Sequence, residues 1–512
     1  MKNTQTILTA LLVSVASLVY AADASKSLIS WQPHNAAAFQ QAAKEKKLLL
    51  LDLEAVWCHW CHVMDAKTYA NKEVAAYITK HFIALKADHD ARPDLAERYR
   101  DWGWPATIIL ASDGTEIVKR AGYISPENML KLLAAVTKDS SAEGQQVDAL
   151  KQFSTSFVLD PEVRRELIER NITSHDSQGG GLNIAQRYVE GDTIEWDLLL
   201  ASLGDAAAKE RALRTLDAGL ALIDPEFGGV YQYSTHSDWQ HPHYEKIMRS
   251  QWTNIKAYSL AYKQFRNPRY LQAAELIAQY LFDFWASPEG GFHASQDADL
   301  IQGVKGHEYF ALKRAQRLKR GLPRIDKNLY AGENGLAIEA LLMLYDASGK
   351  EVYFDKALVA MHWALKNRRY ADGGFRHNQI DDAGPYLSDT LYMGRAFLRL
   401  YEKSGDKQAL ELALKAGNFI NRYFRYPKAG VVSAADNGTP VKPIPQIDQN
   451  IAAVRFLLAL TKHSGEKTHG DLAKHILRYL NTPEIALQRL TEAGILLADF
   501  ERRLVFVEKA LK

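Results

Sequence analysis

The feature that most restricts the fold of this chain is a repeat in its C-terminal half. Three segments, LMLYDASGKEVYFDKAL, LRLYEKSGDKQALELAL and LALTKHSGEKTHGDLAK, begin at Leu342, Leu398 and Leu458. Each contains a Ser-Gly turn between two amphipathic helical patterns, and the spacing is close to sixty residues. Loops with a Gly-Gly pair before an aromatic residue recur between the hairpins. Such hairpins predict a closed helical toroid with these loops at one mouth, and a generic helical array is the alternative.

The N-terminus has the pattern of an exported protein. Lys2 precedes the apolar run ILTALLVSVASLVYA, which ends in small residues suited to cleavage after Ala21. We therefore expect residues 1–21 to be a signal peptide and the mature chain to be periplasmic or secreted. The run is short for a membrane span, so an uncleaved anchor is the weaker alternative. The net charge of +2 gives no reason to expect nucleic acid or a membrane surface as a partner.

Cys58 and Cys61 are the only cysteines among 512 residues, and His62 follows them directly. One such pair closes too short a loop to stabilise a large chain, so its role is expected to be chemical. Three chemistries compete: a redox dithiol, attachment of a c-type haem with His62 as axial ligand, and half of a zinc site. A zinc site lacks its second cysteine pair. The choice between dithiol and haem depends on the flanking sequence.

The flanking sequence favours the dithiol. A helical pattern at 35–47 is followed by the apolar strand LLLLDLEA at 48–55, and this strand leads directly into the cysteines. A second strand at 82–88, a helix, two strands around Asp113-Gly114 and a helix capped by Ser125 complete the order. This order, with a C-x-x-C at a strand-to-helix junction, is typical of thioredoxin-like domains.

The position of each cysteine predicts its role. Cys58 lies nearest the helix N-terminus, where unpaired N–H groups and the helix dipole favour a thiolate, so we expect it to attack. Cys61, one turn further, is then the resolving thiol. His59 between them adds positive charge and makes the disulfide more oxidising. Asp52 is expected to be buried in the strand, where it could relay a proton to Cys61.

The segments CHWCHVM, KAD…RPD and GWPATIIL resemble the spermatogenesis-associated protein 20 family. That family joins a thioredoxin-like domain to an (α/α)6 toroid of six-hairpin-glycosidase type. The resemblance therefore implies a multidomain chain with an N-terminal α/β thioredoxin-like fold followed by an all-α (α/α)6 toroid. We place the thioredoxin-like domain at 30–138, a linker at 139–160 and the toroid at 161–512. The resemblance also implies thiol-disulfide chemistry and a cis peptide at Pro105.

A second set of candidate residues lies in the toroid. The resemblance carries over five residues from PHFEKM-like and SAQDAD-like segments: His243, Glu245, Lys246, Asp297 and Asp299. The segment GGGLNIAQRY departs from the family pattern. The other candidates are Trp252 and two residues at the starts of predicted inner helices, Glu333 and Asp389. We expect all of these residues except Lys246, seven in total, to line an open concave mouth. Carboxylates and aromatics there suit sugar binding or glycoside cleavage, and helix caps and structural ion pairs are the alternative.

The leading hypothesis is an exported thiol-disulfide oxidoreductase whose toroid binds a client or a carbohydrate. A carbohydrate-active or carbohydrate-binding toroid with an accessory thioredoxin-like domain is the alternative, and a partner-binding scaffold is the third reading. The expected partners are protein thiol or disulfide clients and a redox partner, and we predict neither a cofactor nor a metal. The predicted catalytic residues are Cys58, Cys61, His59, Asp52 and Pro105. The predicted client-contacting tryptophans are Trp57, Trp60 and Trp104.

Overall fold

The structure is a computed structural model that describes residues 27–141, 143, 152–381 and 383–506. The predicted signal peptide and part of the predicted linker lie outside these residues. An N-terminal thioredoxin-like region precedes a helical toroid, which confirms the predicted fold class. In the described part of the chain, no helix is both long and apolar enough to cross a membrane.

The N-terminal region is built on a four-stranded mixed sheet. Its first strand lies between the second, to which it is parallel, and the third, to which it is antiparallel. This central position, with both faces covered, explains why the first strand reads as a nearly continuous run of leucines. The fourth strand pairs with the third as the predicted hairpin. The strands in chain order are Leu48–Glu54, Phe82–Asp88, Ala106–Leu110 and Glu116–Ala121.

Helices cover both faces of this sheet, and several begin at side-chain caps. Asn35 and Ser125 each accept a backbone N–H in the first turn of their helix, and the Ser125 cap confirms the prediction from the sequence. The dithiol helix continues as a π-helical turn, and a 3₁₀ turn precedes the third strand. The helical segments are Ala36–Glu45, His59–Met64, Asp65–Tyr69, Lys72–His81, Pro93–Arg98, Arg100–Trp102 and Pro126–Lys138.

The toroid contains a ring of inner helices, each packed against an outer helix. The last inner helix contacts the first, so the ring is closed. The inner helices of the described chain are Gly191–Ser202, Met248–Phe265, Ala331–Ser348, Leu387–Ser404, Ile447–Ser464 and Ala493–Phe506. In the same order, the outer helices packed against them are Ala206–Gly219, Pro268–Tyr280, Glu351–Asn367, Lys407–Tyr423, Lys467–Leu480 and Pro161–Thr173.

The Ser-Gly turns of the repeat end three inner helices in the same way. Gly349, Gly405 and Gly465 have φ values of 72°, 72° and 73°, a left-handed conformation that favours glycine. This shared geometry explains why the Ser-Gly pairs recur in the sequence.

Short elements complete the loops between hairpins. A two-stranded ladder joins Tyr233–Ser234 to Pro242–His243. A three-stranded sheet joins the segments Lys246–Ile247, Ser295–Gln296 and Ile325–Asp326. The remaining helical turns are Leu220–Leu222, Leu281–Trp285, His307–Phe310, Arg314–Arg320 and Pro483–Ala486.

Candidate active site at the domain interface

Cys58 and Cys61 form a disulfide at the start of the helix His59–Met64. Cys58 is the N-cap residue, and its Sγ accepts a hydrogen bond from the Cys61 backbone N–H at 3.1 Å. A thiolate formed at Cys58 on reduction would therefore face the helix N-terminus, as the sequence analysis expects. Both side chains are buried, with Cys58 4% and Cys61 3% exposed.

Aromatic side chains and one toroid residue surround the disulfide. The Trp104–Pro105 peptide is cis, as predicted. Trp104 and Ile247 pack against the cluster that contains the two cysteines and Trp57. Of the three predicted client-contacting tryptophans, only Trp60 is exposed, at 39%, whereas Trp57 is buried and Trp104 half-buried. Because Ile247 belongs to the toroid, the disulfide is covered by the other domain.

Asp52 is buried in the strand that leads to the dithiol, as predicted, and is 2% exposed. The Tyr69 hydroxyl donates to Asp52 at 3.2 Å, and the Lys86 ammonium lies 3.3 Å from the carboxylate. Burial raises the pKa of Asp52 to about 7, against the opposing charge of Lys86. A carboxyl group with this pKa exchanges protons readily near neutral pH.

The two histidines of the dithiol helix bind two carboxylates of the toroid. His59 Nδ1 lies 2.8 Å from Asp299 Oδ2, and His62 Nε2 lies 2.9 Å from Asp297 Oδ2. Burial alone would lower the pKa of His62, but its hydrogen bond to Asp297 and the nearby carboxylates outweigh that effect and raise it. Burial raises the pKa of Asp297. These pairs connect residues 240 and 235 positions apart in the chain.

Further contacts continue the interface around Asp90 of the thioredoxin-like domain. Asp90 accepts from the Ser295 hydroxyl at 2.6 Å, and its backbone carbonyl lies 2.6 Å from His377 Nε2. The other ring nitrogen of His377 lies 2.9 Å from Asp389 Oδ1. Burial would lower the pKa of His377, yet Asp389 and Glu333 raise it to about 10, which favours the charged imidazole.

Two arginines form ion pairs between the thioredoxin-like domain and the toroid. Arg249 donates to Glu97 at 2.7 Å, and Arg100 forms an ion pair with Asp448. Arg249 and Asp448 lie in the first turns of two inner helices. The thioredoxin-like domain therefore lies on the toroid mouth formed by the N-terminal ends of the inner helices, which we call the covered end.

The prediction of an open mouth lined by seven toroid residues is wrong for this end. Asp297 and Asp299 bind the dithiol helix, and Asp389 is fully buried against His377. Burial raises the pKa of Glu333, at the start of an inner helix, to about 7. Trp252 lies inside the bore, where its indole N–H donates to Glu339 at 3.1 Å.

The remaining predicted residues, His243 and Glu245, lie beside the short strands of the covered end. His243 stacks on Tyr233 with ring centroids 4.4 Å apart, and its Nδ1 is 3.7 Å from the Glu245 carboxylate. Glu245 is 4% exposed. The neighbouring Lys246 forms a buried ion pair with Asp224 at 2.9 Å, which is a structural role.

The opposite end of the bore holds a cavity of about 330 Å³, which we call the far cavity. The C-terminal halves of five inner helices line it, together with Glu195 of the first. Its walls combine apolar side chains with many charged ones. None of these lining residues was predicted from the sequence, although the predicted residue Trp252 contacts one of them, Glu339.

Sequence reasoning missed the interfacial roles of His62, Asp90, Ile247 and His377. The sequence gives His62 only the role of a possible haem ligand, and His377 lies just after a Gly-Gly-aromatic segment. The available signal was the clustering of histidines and carboxylates near the cysteines and in these loops. That signal does not say which groups pair across domains.

Comparisons with known proteins agree with this architecture. The sequence model of the family Thioredox_DsbH, described as "Protein of unknown function, DUF255", matches residues 11–155. Thioredoxin of Chlamydia trachomatis serovar D is 33% identical over 87 residues, which are 17% of this chain and 80% of that protein. Through its N-terminal domain, the chain belongs to the thioredoxin family.

The similarity to a larger relative extends into the toroid. Human spermatogenesis-associated protein 20 is 26% identical over 307 residues, or 53% of this chain and 39% of that protein. This relationship confirms the resemblance seen in the sequence. The aligned region spans about two fifths of the length of such curated relatives.

The fold of the toroid has counterparts among solved structures. Cellobiose 2-epimerase from Spirochaeta thermophila superposes with a TM-score of 0.53 at 13% identity, covering 69% of this chain and 98% of that one. At this identity the likeness concerns the fold alone.

Proposed function

We propose that the protein is an exported thiol-disulfide oxidoreductase in which the toroid covers and orients the reactive dithiol. The observation that carries the proposal is the Cys58–Cys61 pair at a helix N-terminus, in a cluster against which Trp104 packs. This combination favours thiolate chemistry at Cys58 over a purely structural cross-link. The buried Asp52 supports it as a group able to exchange a proton near neutral pH.

In the reducing direction, the Cys58 thiolate attacks one sulfur of a substrate disulfide and releases the other sulfur as a thiolate. Cys61 then loses its proton, for which Asp52 is the proposed acceptor, and attacks Cys58 Sγ. The mixed disulfide breaks, the second substrate thiolate leaves, and the Cys58–Cys61 disulfide forms. Two electrons pass from the dithiol to the substrate, and the same steps in reverse oxidise a substrate dithiol.

Access to the dithiol distinguishes this proposal from an ordinary thioredoxin. Attack requires a substrate sulfur in line with Cys58 Sγ, and a side chain that is 4% exposed and packed near Ile247 does not admit a folded protein. Reaction with a protein client therefore requires the segment around Ile247 to move. A small disulfide such as oxidised glutathione needs a smaller opening.

The carbohydrate alternative has less support at the covered end. Glycoside cleavage needs two carboxylates free to face a sugar, and Asp297 and Asp299 are instead bonded to His62 and His59. The likeness to epimerase structures concerns the fold and does not assign a sugar.

A trapping experiment tests the proposal. Cys61→Ser should accumulate mixed disulfides through Cys58, identifiable by mass spectrometry, because the resolving thiol is missing. Cys58→Ser is the matched control and should trap far less, because Cys61 lies one turn inside the helix. An absence of redox-active thiols in the reduced native protein would rule the function out.

Export is tested separately by N-terminal sequencing of the mature protein from its native host. The proposal expects cleavage after Ala21. A chain that retains its first 21 residues in the cytoplasm would contradict it.

A further inference from the structure

We propose that the far cavity binds a small organic anion, one with a carboxylate or phosphate group and an apolar body. This inference does not rest on the dithiol chemistry. The cavity lies among the C-terminal halves of the inner helices, whereas the disulfide lies at the covered end.

The size and walls of the far cavity suit a small molecule. Its volume of about 330 Å³ falls within the range of ligand sites in proteins. Leu260, Met343, Leu398 and Phe456 supply apolar wall. An apolar ligand body in contact with these side chains would gain burial energy in proportion to the area removed from water.

Deep in the far cavity, positively charged side chains form ion pairs with an equal number of carboxylates. Arg455 binds Glu195 at 2.6 Å and Glu501 at 2.8 Å. Two further pairs, Lys256–Glu195 at 2.6 Å and Arg395–Glu339 at 2.9 Å, complete the group. Three bases therefore meet three carboxylates, and this layer, which we call the ion-pair floor, adds no net charge.

The rim of the cavity has an excess of positive charge. Lys263 and Lys403 both form ion pairs with the single carboxylate of Asp346. One carboxylate neutralises one ammonium, so a positive charge remains. Lys462 also lines the cavity, and within the described residues it forms no ion pair. Burial, followed by the charges of Arg399 and Arg266, lowers the pKa of Lys263, which agrees with a positive surrounding field.

Helix dipoles explain only part of this charge. The inner helices end near this rim, and the partial negative charge of a helix C-terminus attracts cations. In three of these helices a glycine N–H already satisfies a terminal carbonyl: Gly349 to Tyr345, Gly405 to Tyr401 and Gly465 to Thr461, at 2.8 to 2.9 Å. The dipole effect is also weak at exposed ends, so an excess of cations remains for a ligand.

An unpaired hydroxyl points independently to a ligand. Ser259 lines the cavity and is 1% exposed, and its Oγ has no hydrogen-bond partner among the described residues. Buried hydroxyls are normally satisfied, so a polar ligand atom is a suitable partner. Ser259 lies four residues before Lys263, on the same helix face. A ligand can thus contact the rim with its anionic group and Ser259 with a second polar atom.

Isothermal titration calorimetry of the full-length mature protein tests the inference with four probes: citrate, glucose 6-phosphate, inorganic phosphate and glucose. Saturable binding of citrate or glucose 6-phosphate, weakened by salt, is the expected result. Tighter binding of citrate would identify a carboxylate ligand, and tighter binding of glucose 6-phosphate a phosphate ester. The proposal is overturned if none of the anions binds at millimolar concentration, if glucose binds equally well, or if inorganic phosphate matches both organic anions.

Variants locate the binding. Lys263→Gln combined with Arg399→Gln should weaken binding of the organic anion about tenfold or more, because both cations line the cavity and their loss leaves the carboxylates of Asp346 and Glu402 in excess at the rim. Lys263→Arg should retain most of the affinity, since it keeps the charge. Lys415→Gln, on an outer helix, is the matched control and should have no effect. Equal binding by the double variant and the control would place the ligand elsewhere and refute the assignment.

Discussion

The two ends of the toroid bore differ in how their charged groups are used. At the covered end, carboxylates of the toroid pair with histidines of the thioredoxin-like domain, and little of either side chain reaches solvent. At the far cavity, cations and carboxylates pair mainly with one another and leave positive charge at the rim. The same helical frame therefore supports a domain interface at one end and an accessible cavity at the other.

The largest predicted effect is a loss of stability when the ion-pair floor is disrupted. Arg455→Met leaves Glu195 and Glu501 without their shared partner, although Lys256 still contacts Glu195. Arg455, Glu195 and Glu501 are half-buried, so the loss should exceed that of an exposed pair and reach at most about 3 kcal/mol, the low end of the range for a fully buried ion pair. Urea denaturation should show this loss, whereas Lys415→Met, which removes an exposed pair, should change stability by under about 1 kcal/mol. Equal losses would mean that the floor contributes no special stability.

The next largest predicted effect is a faster reaction of the disulfide at the covered end. Asp297→Asn together with Asp299→Asn removes the charges that hold the dithiol helix against the toroid. The disulfide should then react with reduced glutathione roughly tenfold faster. This change corresponds to a decrease of about 1.4 kcal/mol in the free energy needed to expose the disulfide. Thiol release measured over time checks this, with Asp372→Asn on the outer surface as the control. An unchanged rate would show that these pairs do not restrict access.

The contribution of His62 to the stability of the covered end should depend on pH. The pKa of His62 is raised in the folded protein, so its stabilising contribution is complete below the unfolded value of about 6.5. That contribution is lost as pH rises through the raised value. The thermal stability advantage of the wild type over His62→Gln should therefore shrink between pH 6 and pH 9. A constant difference across this range would argue against a charged His62 at the interface.

Much of the site could be predicted where the determinants are local. The dithiol at a strand-to-helix junction, the buried Asp52 and the Ser-Gly turns each depend on neighbours within a few residues. The closed ring also follows from a repeat, because each hairpin needs the next to bury its apolar face.

The interface could not be predicted for the opposite reason. Asp297 and Asp299 have a sequence pattern equally suited to a sugar site, to helix caps or to histidine pairs. Their partners are more than 230 positions away. The docking of two complete domains decides among these roles, and no local propensity contains that information.

The smallest predicted change in the reaction rate of the disulfide comes from removing the apolar side chain of Ile247, which packs over the cluster that contains the cysteines. Ile247→Ala should increase the rate at which the disulfide reacts with glutathione only a few-fold, since the histidine–carboxylate pairs remain. The same variant should leave anion binding at the far cavity unchanged. A rate increase larger than that of the double aspartate variant would make Ile247 the main barrier.

The position of Ile247 in the chain has a consequence for biogenesis. Cys58 and Cys61 leave the ribosome about 190 residues before the segment that covers them, because synthesis proceeds from the N-terminus. Until the toroid closes, the nascent thiols are open to any oxidant they meet. The Cys58–Cys61 disulfide can therefore form before the toroid encloses it. The order of synthesis thus influences when the two cysteines are oxidised.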